Sequence, residues 1–203
     1  MSLSLREKYD IILAHERQFA YRLAKDVVKK PEVSVWMILL PVLFVHHMMK
    51  MTQYKTGIHT FASNILGTKT KALDKALQDI ETGEIQDYSV AEYFPQVPLE
   101  SETEQALAVK QIAILKLMEK HYRTLLEQPG GALEDLVRGA YGSSGAYRYY
   151  LNKLAEAEDE TNRHLRENFH TSEESGAVMS RIEERMAEMR EEEMRFFFQG
   201  EAV

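Results

Sequence analysis

The chain has 203 residues, of which 44% are hydrophobic and 28% are charged, and these proportions are ordinary for a globular protein. It contains no cysteine, which excludes a disulfide framework, a thiolate metal site and a cysteine nucleophile. The first ten residues show no apolar core of a secretory signal. We therefore expect a cytoplasmic protein, peripheral to the inner face of a membrane if it associates with one.

Charge is distributed unevenly along the chain. Residues 1–80 carry 12 Lys or Arg and 7 Asp or Glu, whereas residues 81–203 carry 13 Lys or Arg and 25 Asp or Glu. An anionic membrane surface attracts a basic part of this kind, although attraction between the two parts, within one chain or between copies, explains the asymmetry equally well. The net charge of −7 makes nucleic acid an unexpected partner.

Apolar residues recur three or four positions apart through most of the chain, which predicts an all-α protein. We expect a bundle of about six to eight helices around a kinked, apolar central helix at residues 31–51. The charge shift and the prolines suggest a basic helical part at 1–83, an irregular connection at 84–100 and an acidic helical part at 101–203. One single domain over the whole chain is the alternative.

The expected central helix contains an uncharged run of 17 residues, 33–49, which follows Lys29 and Lys30. As a helix this run would be about 26 Å long, slightly short of the roughly 30 Å core of a bilayer. Pro41 would remove one backbone donor and kink the helix. A helix that is apolar on all sides is either buried in a bundle or in contact with a membrane, and the sequence leaves both open.

Local signals mark several helix ends. Ser4 and Ser101 are each followed three residues later by Glu, which is the pattern of a capping box. Gly83 stands where a helix ending in the left-handed conformation would need glycine. A short helix is predicted at 133–141, followed by the turn 142–145.

A candidate metal site lies on the predicted helix 146–174. Glu160, His164 and Glu167 share one face of this helix, and Glu167 with His170 has the Glu-x-x-His spacing of di-iron bundles. Such sites need a second Glu-x-x-His motif, and the sequence has none. The alternating acidic and basic residues are also typical of a solvated helix face. A metal-dependent helical enzyme is thus the alternative function, and otherwise no cofactor is expected.

A candidate anion site lies at the start of the same helix. Free backbone amides and small residues at a helix N-terminus can hold a phosphate, and the residues concerned are Ser143, Ser144, Gly145 and Arg148. The stretch does not match a P-loop. A capped turn with its tyrosines in the core explains the same residues.

The C-terminal helix has a methionine-rich seam and ends in three consecutive phenylalanines, 196–198. Three successive residues of a helix cannot all face one core, so at least one should be exposed or covered by another chain. The sequence therefore favours a non-enzymatic interaction or scaffold protein that forms homo-oligomers and docks on an anionic membrane surface or a membrane protein. The predicted docking residues are Lys29, Lys30, Trp36, Phe44, Phe196, Phe197 and Phe198.

Overall fold

A computed structural model of the protein describes residues 2–27, 57–85, 90, 101–169 and 173–200. Six helices lie within these ranges and none of the described residues forms a strand, which confirms the predicted all-α fold. In chain order the helices are α1 (Leu5–Val27), α2 (Gly57–Thr82), α3 (Glu102–Glu127), α4 (Leu133–Tyr141), α5 (Ser144–Asn168) and α6 (Glu173–Phe197). The predicted kinked helix at 31–51 lies outside the described residues.

Helices α1 and α2 form an antiparallel pair. Near the start of α1, the Tyr9 hydroxyl donates to Asp74 Oδ1 at 2.6 Å in the second half of α2. Near the end of α1, the Tyr21 hydroxyl lies 2.5 Å from His59 Nδ1 in the first turn of α2. The end of α1 and the start of α2 therefore lie at the same end of the bundle.

The other long helices follow the same axis. Helices α3 and α6 both run antiparallel to α1, and α5 runs antiparallel to α6, so α1 and α5 point one way and α2, α3 and α6 the other. Contacts between α1 and α3 join Lys8 with Leu126 and Glu16 with Tyr122. Contacts between α1 and α6 join Asp26 with Arg185 and His15 with Glu193. Contacts between α5 and α6 join Glu158 with Arg190 and Arg166 with Glu183. The short α4 lies between the end of α3 and the start of α5.

The helix ends predicted at Ser4, Gly83, Ser101 and Gly142 are confirmed, whereas the helix predicted at 146–174 spans Ser144–Asn168, with its C-cap at Phe169, and α6 begins at Glu173. Ser4 and Ser101 each accept a backbone hydrogen bond from the glutamate three residues on and donate their own backbone N–H to its carboxylate. Each box satisfies two amides that the first turn of a helix leaves without a partner. Gly83 and Gly142 have φ of 73° and 68°, the left-handed region in which a side chain would be strained.

The described core consists of two hydrophobic clusters. The larger cluster contains residues of all six helices, so it joins the helices before the 84–100 connection to those after it. Its members include Ile12, Leu73, Leu115, Leu136, Leu154 and Phe197. The smaller is built from α1, α2 and α6 toward the end of α1, and its members include Phe19, Leu23, Val27, Phe61, Val178 and Met189. Both clusters follow from apolar residues spaced three or four apart on each helix.

Candidate functional site

A set of charged and hydroxyl side chains lies between the two hydrophobic clusters. In α1, Ile12 belongs to the larger cluster and Phe19 to the smaller, and His15 and Glu16 stand between them. Lys69 of α2 occupies the corresponding position in its helix. We call this set the polar layer, and its members are His15, Glu16, Lys69, Tyr122, Glu158, Arg190 and Glu193.

Glu16 is the most connected member of the polar layer. One carboxylate oxygen bonds to the Lys69 ammonium, and the other accepts the Tyr122 hydroxyl at 2.8 Å. Burial alone would raise the pKa of Glu16, but the neighbouring charges of Lys69 and His15 and these hydrogen bonds hold the pKa below its ordinary value. Lys69 also lies 4.1 Å from the centre of the Phe19 ring, a cation–π contact. Glu16 is thus an ionised residue that joins α1, α2 and α3.

His15 connects the polar layer to α6. Its Nε2 lies 2.6 Å from Glu193 Oε1. Partial burial lowers the pKa of His15, but the hydrogen bond and the charge of Glu193, with a further contribution from Glu16, raise it above the ordinary value. Three residues before Glu193 in α6, Arg190 places both guanidinium NH2 groups 2.8 Å from the Glu158 carboxylate. This bidentate pair joins α5 to α6.

An aromatic cluster around His121 adjoins the polar layer. The imidazole stacks on the Tyr150 ring with centroids 4.4 Å apart, and its Nδ1 lies 2.6 Å from the Tyr141 hydroxyl. Burial lowers the pKa of His121 to about 3, and the charge of Lys69 acts in the same direction. His121 is therefore neutral in the folded protein above pH 4, where it serves as a hydrogen-bonding partner in the core.

The polar layer can hold or release one proton at His15. Its side chain is 30% exposed, a larger exposed fraction than that of Glu16, Lys69, Glu193, Arg190 or Glu158, for which the values lie between 12% and 19%. The carboxylates around it are bonded to cations or to a tyrosine. The chemistry of the layer is therefore proton exchange at its most accessible member.

Three of the four residues of the predicted metal site, Glu160, His164 and Glu167, lie in the described part of the chain, and they do not form a metal-binding group there. Glu160 pairs with Lys110, and His164 Nε2 lies 3.2 Å from the Thr103 carbonyl oxygen. Glu167 is exposed, and His170 lies outside the described residues. No group of three or more His, Asp or Glu in the described ranges could hold a metal ion. A site that includes His170 stays a prediction.

The predicted anion site is a helix cap in the structure. The Ser143 hydroxyl accepts the backbone N–H of Ala146 at 3.2 Å. Arg148 lies 3.0 Å from Glu191 of α6, while Ser144 is partly buried and Gly145 is exposed. These contacts give the turn a structural role at the start of α5, and its affinity for anions stays a prediction.

The predicted docking residues divide into three groups. Lys29, Lys30, Trp36 and Phe44 lie outside the described residues. Phe197 and Phe198 are 2% and 5% exposed and belong to the larger hydrophobic cluster, so these two side chains are used by the fold itself. Phe196 is 51% exposed, as expected for three consecutive aromatic residues on one helix. Among the described helices, none has a stretch apolar and long enough to cross a bilayer.

Charged residues at apolar positions of three helices are the sequence feature that corresponds to the polar layer. Glu16 is four residues after Ile12 and three before Phe19, on the apolar face of α1. Lys69 falls between Ile65 and Leu73 of α2 in the same way, and Glu193 continues the methionine seam of α6. A charged residue at an apolar position on each of three helices indicates a shared polar contact in the core.

Comparison of the chain with models of protein families, with curated proteins and with solved structures found no match. The function therefore has to be inferred from the residues themselves. The antiparallel pairing of α1 with α2 brings Val27 and Gly57 to the same end of the bundle, and the polar layer is a titratable set of side chains within it.

Proposed function

We propose that the protein is a non-enzymatic helical interaction protein that forms homo-oligomers and docks on an anionic membrane surface through residues 28–56. The observation that carries the proposal is the antiparallel pairing of α1 with α2. Val27 and Gly57 lie at the same end of the bundle, and the 29 residues between them in the sequence include Lys29, Lys30, Trp36 and Phe44. Docking through these residues would therefore be anchored at that end of the bundle.

The composition of this connection suits an anionic lipid surface. Lys29 and Lys30 precede the uncharged run at 33–49, and Lys50 follows it. A basic residue close to an anionic surface contributes about 1 kcal/mol of attraction, and buried apolar side chains add to it. Trp36 supplies a ring of the kind that lies at the level of the lipid headgroups, and Phe44 supplies an apolar side chain of the kind that interfacial segments bury below them.

Sedimentation with lipid vesicles tests the docking surface. The wild-type chain should pellet with vesicles of phosphatidylcholine and phosphatidylserine at low salt, less so at high salt, and remain in solution with phosphatidylcholine alone. Lys29→Glu with Lys30→Glu should weaken binding at least about tenfold, since each reversal replaces attraction with repulsion.

A matched variant controls for net charge. Lys71→Glu with Lys120→Glu makes the same change in charge at exposed positions of α2 and α3, and it should bind almost as wild type. Equal loss in both variants would mean that only the total charge matters, and the proposal would fail. If the wild type ignores both kinds of vesicle but fractionates with cellular membranes, the docking partner is a membrane protein instead.

A further inference from the structure

The charge balance of the polar layer depends on one histidine. Three carboxylates face two permanent cations there, and these are Glu16, Glu158 and Glu193 with Lys69 and Arg190. When His15 is protonated, the described layer has three charges of each sign. When His15 is neutral, one carboxylate is in excess between two hydrophobic clusters, where an uncompensated charge is costly.

We propose that His15 and Glu193 form a pH-sensitive latch that holds α6 against α1. With His15 protonated, a charge-assisted bond at 2.6 Å joins the two helices. With His15 neutral, the bond loses its charge and Glu193 keeps an excess negative charge, so α6 is held less tightly. This inference concerns the bundle alone and is independent of membrane docking.

The electrostatic environment of the latch is formed by side chains of α1, α2, α3, α5 and α6. The titratable and charged groups concerned are Glu16 from α1, Lys69 from α2, His121 and Tyr122 from α3, Tyr147, Tyr150 and Glu158 from α5, and Arg190 beside Glu193 in α6. Lys69 and Arg190 are already bonded to Glu16 and Glu158. Among the described residues, the cation bonded to Glu193 is therefore His15, while Arg190 acts on Glu193 through its charge.

Other ion pairs between α1 and α6 are more exposed. The Arg22–Glu192 pair is about half exposed, and Asp26, which pairs with Arg185, is 44% exposed. Exposed pairs contribute little and are screened by salt. The latch is less exposed, and the His15 ring lies 5.6 Å from the ring of the buried Phe197. Weakening the latch should therefore loosen the packing of the last turns of α6, which contain Glu193 and Phe197.

The direction of the pH effect follows from the raised pKa of His15. A group that binds its proton more tightly in the folded state makes its full contribution to stability at pH values below its pKa in the unfolded chain. That stabilisation is lost as the pH rises through the folded pKa. The latch therefore closes on the acidic side of neutrality and loosens as the solution becomes alkaline.

Titration of the histidine ring signals by NMR tests the latch in the full chain. In the wild type, His15 should titrate above the ordinary histidine pKa of about 6.5. Glu193→Gln should lower this value, because the effect of burial remains while the favourable charge is gone. Glu192→Gln, one residue away on the outer side of α6, is the matched control and should leave the titration of His15 almost unchanged.

A second measurement asks whether the titration is coupled to stability. His15→Gln should raise the unfolding equilibrium constant roughly tenfold at pH 6, with a smaller difference from wild type at pH 9. The proposal is overturned if His15 of the wild type titrates at or below 6.5, or if Glu192→Gln shifts it as much as Glu193→Gln. It is also overturned if the ratio of the two unfolding constants is the same at both pH values. Whether His15 titrates above 6.5 is measured on the wild type, so this test remains valid even if a variant does not fold.

Discussion

His121 shows how a titratable side chain can be held in the core as a neutral group. It is 8% exposed and stacked on Tyr150, and its Nδ1 accepts a hydrogen bond from the Tyr141 hydroxyl when the imidazole proton is on Nε2. The unfolded chain takes up a proton on this histidine below about pH 6.5, whereas the folded chain does so only near pH 3. Acid therefore favours unfolding through this residue.

Replacing His121 with Gln should reduce this acid sensitivity. Glutamine does not titrate, yet it can accept the Tyr141 hydroxyl. Between about pH 6 and pH 4, the free energy of unfolding of the wild type should fall by about 1.4 kcal/mol per pH unit more than that of the variant. Urea unfolding followed by circular dichroism at several pH values measures the difference.

Tyr141→Phe distinguishes the effect of His121 protonation on stability from the effect of its hydrogen bond. This variant loses the hydroxyl but retains the histidine, so it should be less stable at every pH by about 1 kcal/mol and keep the wild-type slope with pH. If His121→Gln and the wild type lose stability in parallel as the pH falls, His121 is protonated in the folded state and its proposed neutrality is wrong.

At the level of helices, the sequence predicted those helix starts and ends that depend only on residues close together in the chain. The helix α4 was predicted around 133–141 because the turn 142–145 breaks the helical pattern, and in the structure Gly142 is its left-handed C-cap. The starts of α1 and α3 were predicted from Ser4 and Ser101, since a capping box needs only residues three positions apart. These signals lie within one turn of helix and do not depend on how helices pack.

The polar layer could not be predicted to the same extent, because its partners come from different helices. Periodicity shows that Glu16 and Lys69 lie on apolar faces, but not that these two faces meet. The pairing depends on α1 running antiparallel to α2 with one particular register. The predicted roles of 28–56 and of His170 lie outside the described residues, so they stay predictions.

The pairing of α1 with α2 through Glu16 and Lys69 leads to a test at this level. Glu16→Gln leaves the Lys69 ammonium, 14% exposed, without its counter-charge, and should cost about 2–4 kcal/mol of unfolding free energy. Replacing Glu16 and Lys69 together with Met, and Tyr122 with Phe, removes all three polar partners at similar volume. Such replacement of a buried ion pair is often neutral or stabilising, so the triple variant should be more stable than Glu16→Gln.

Chemical denaturation of Glu16→Met, of Lys69→Met and of the variant that carries both changes gives the coupling between the two residues. We expect a coupling energy of at least about 1 kcal/mol, since the residues share a hydrogen bond. Additive effects would show that Glu16 and Lys69 act separately, and the polar layer would then lose its role in joining α1 to α2.

In the whole molecule, the polar layer and the exposed Phe196 have different roles: the layer holds helices together inside the bundle, and Phe196 lies on its surface. The layer keeps charged groups inside the bundle by matching them with one another, which specifies the helix pairs that can form. The last turn of α6 is fixed differently: Phe197 and Phe198 are buried, and Arg138 Nε donates to the Phe197 carbonyl oxygen. Phe196 is thus presented at a fixed place on the surface.

A homo-oligomer contact at Phe196 is the corresponding prediction. Burial of a phenylalanine side chain against a second copy contributes about 1.5–3 kcal/mol, and a two-fold contact would contain it twice. Phe196→Ser should therefore weaken self-association at least about tenfold, measured by sedimentation velocity over a range of concentrations, with the helical content unchanged.

Val109→Ser is the matched control, because Val109 on α3 is 57% exposed and the change removes apolar surface elsewhere. This variant should associate as the wild type does. If both variants and the wild type sediment as the same monomer, the homo-oligomer is disproved, and Phe196 is left as an exposed aromatic residue beside the buried end of α6. If only Val109→Ser dissociates, the contact between copies lies on α3, and the rigid end of α6 has no part in it.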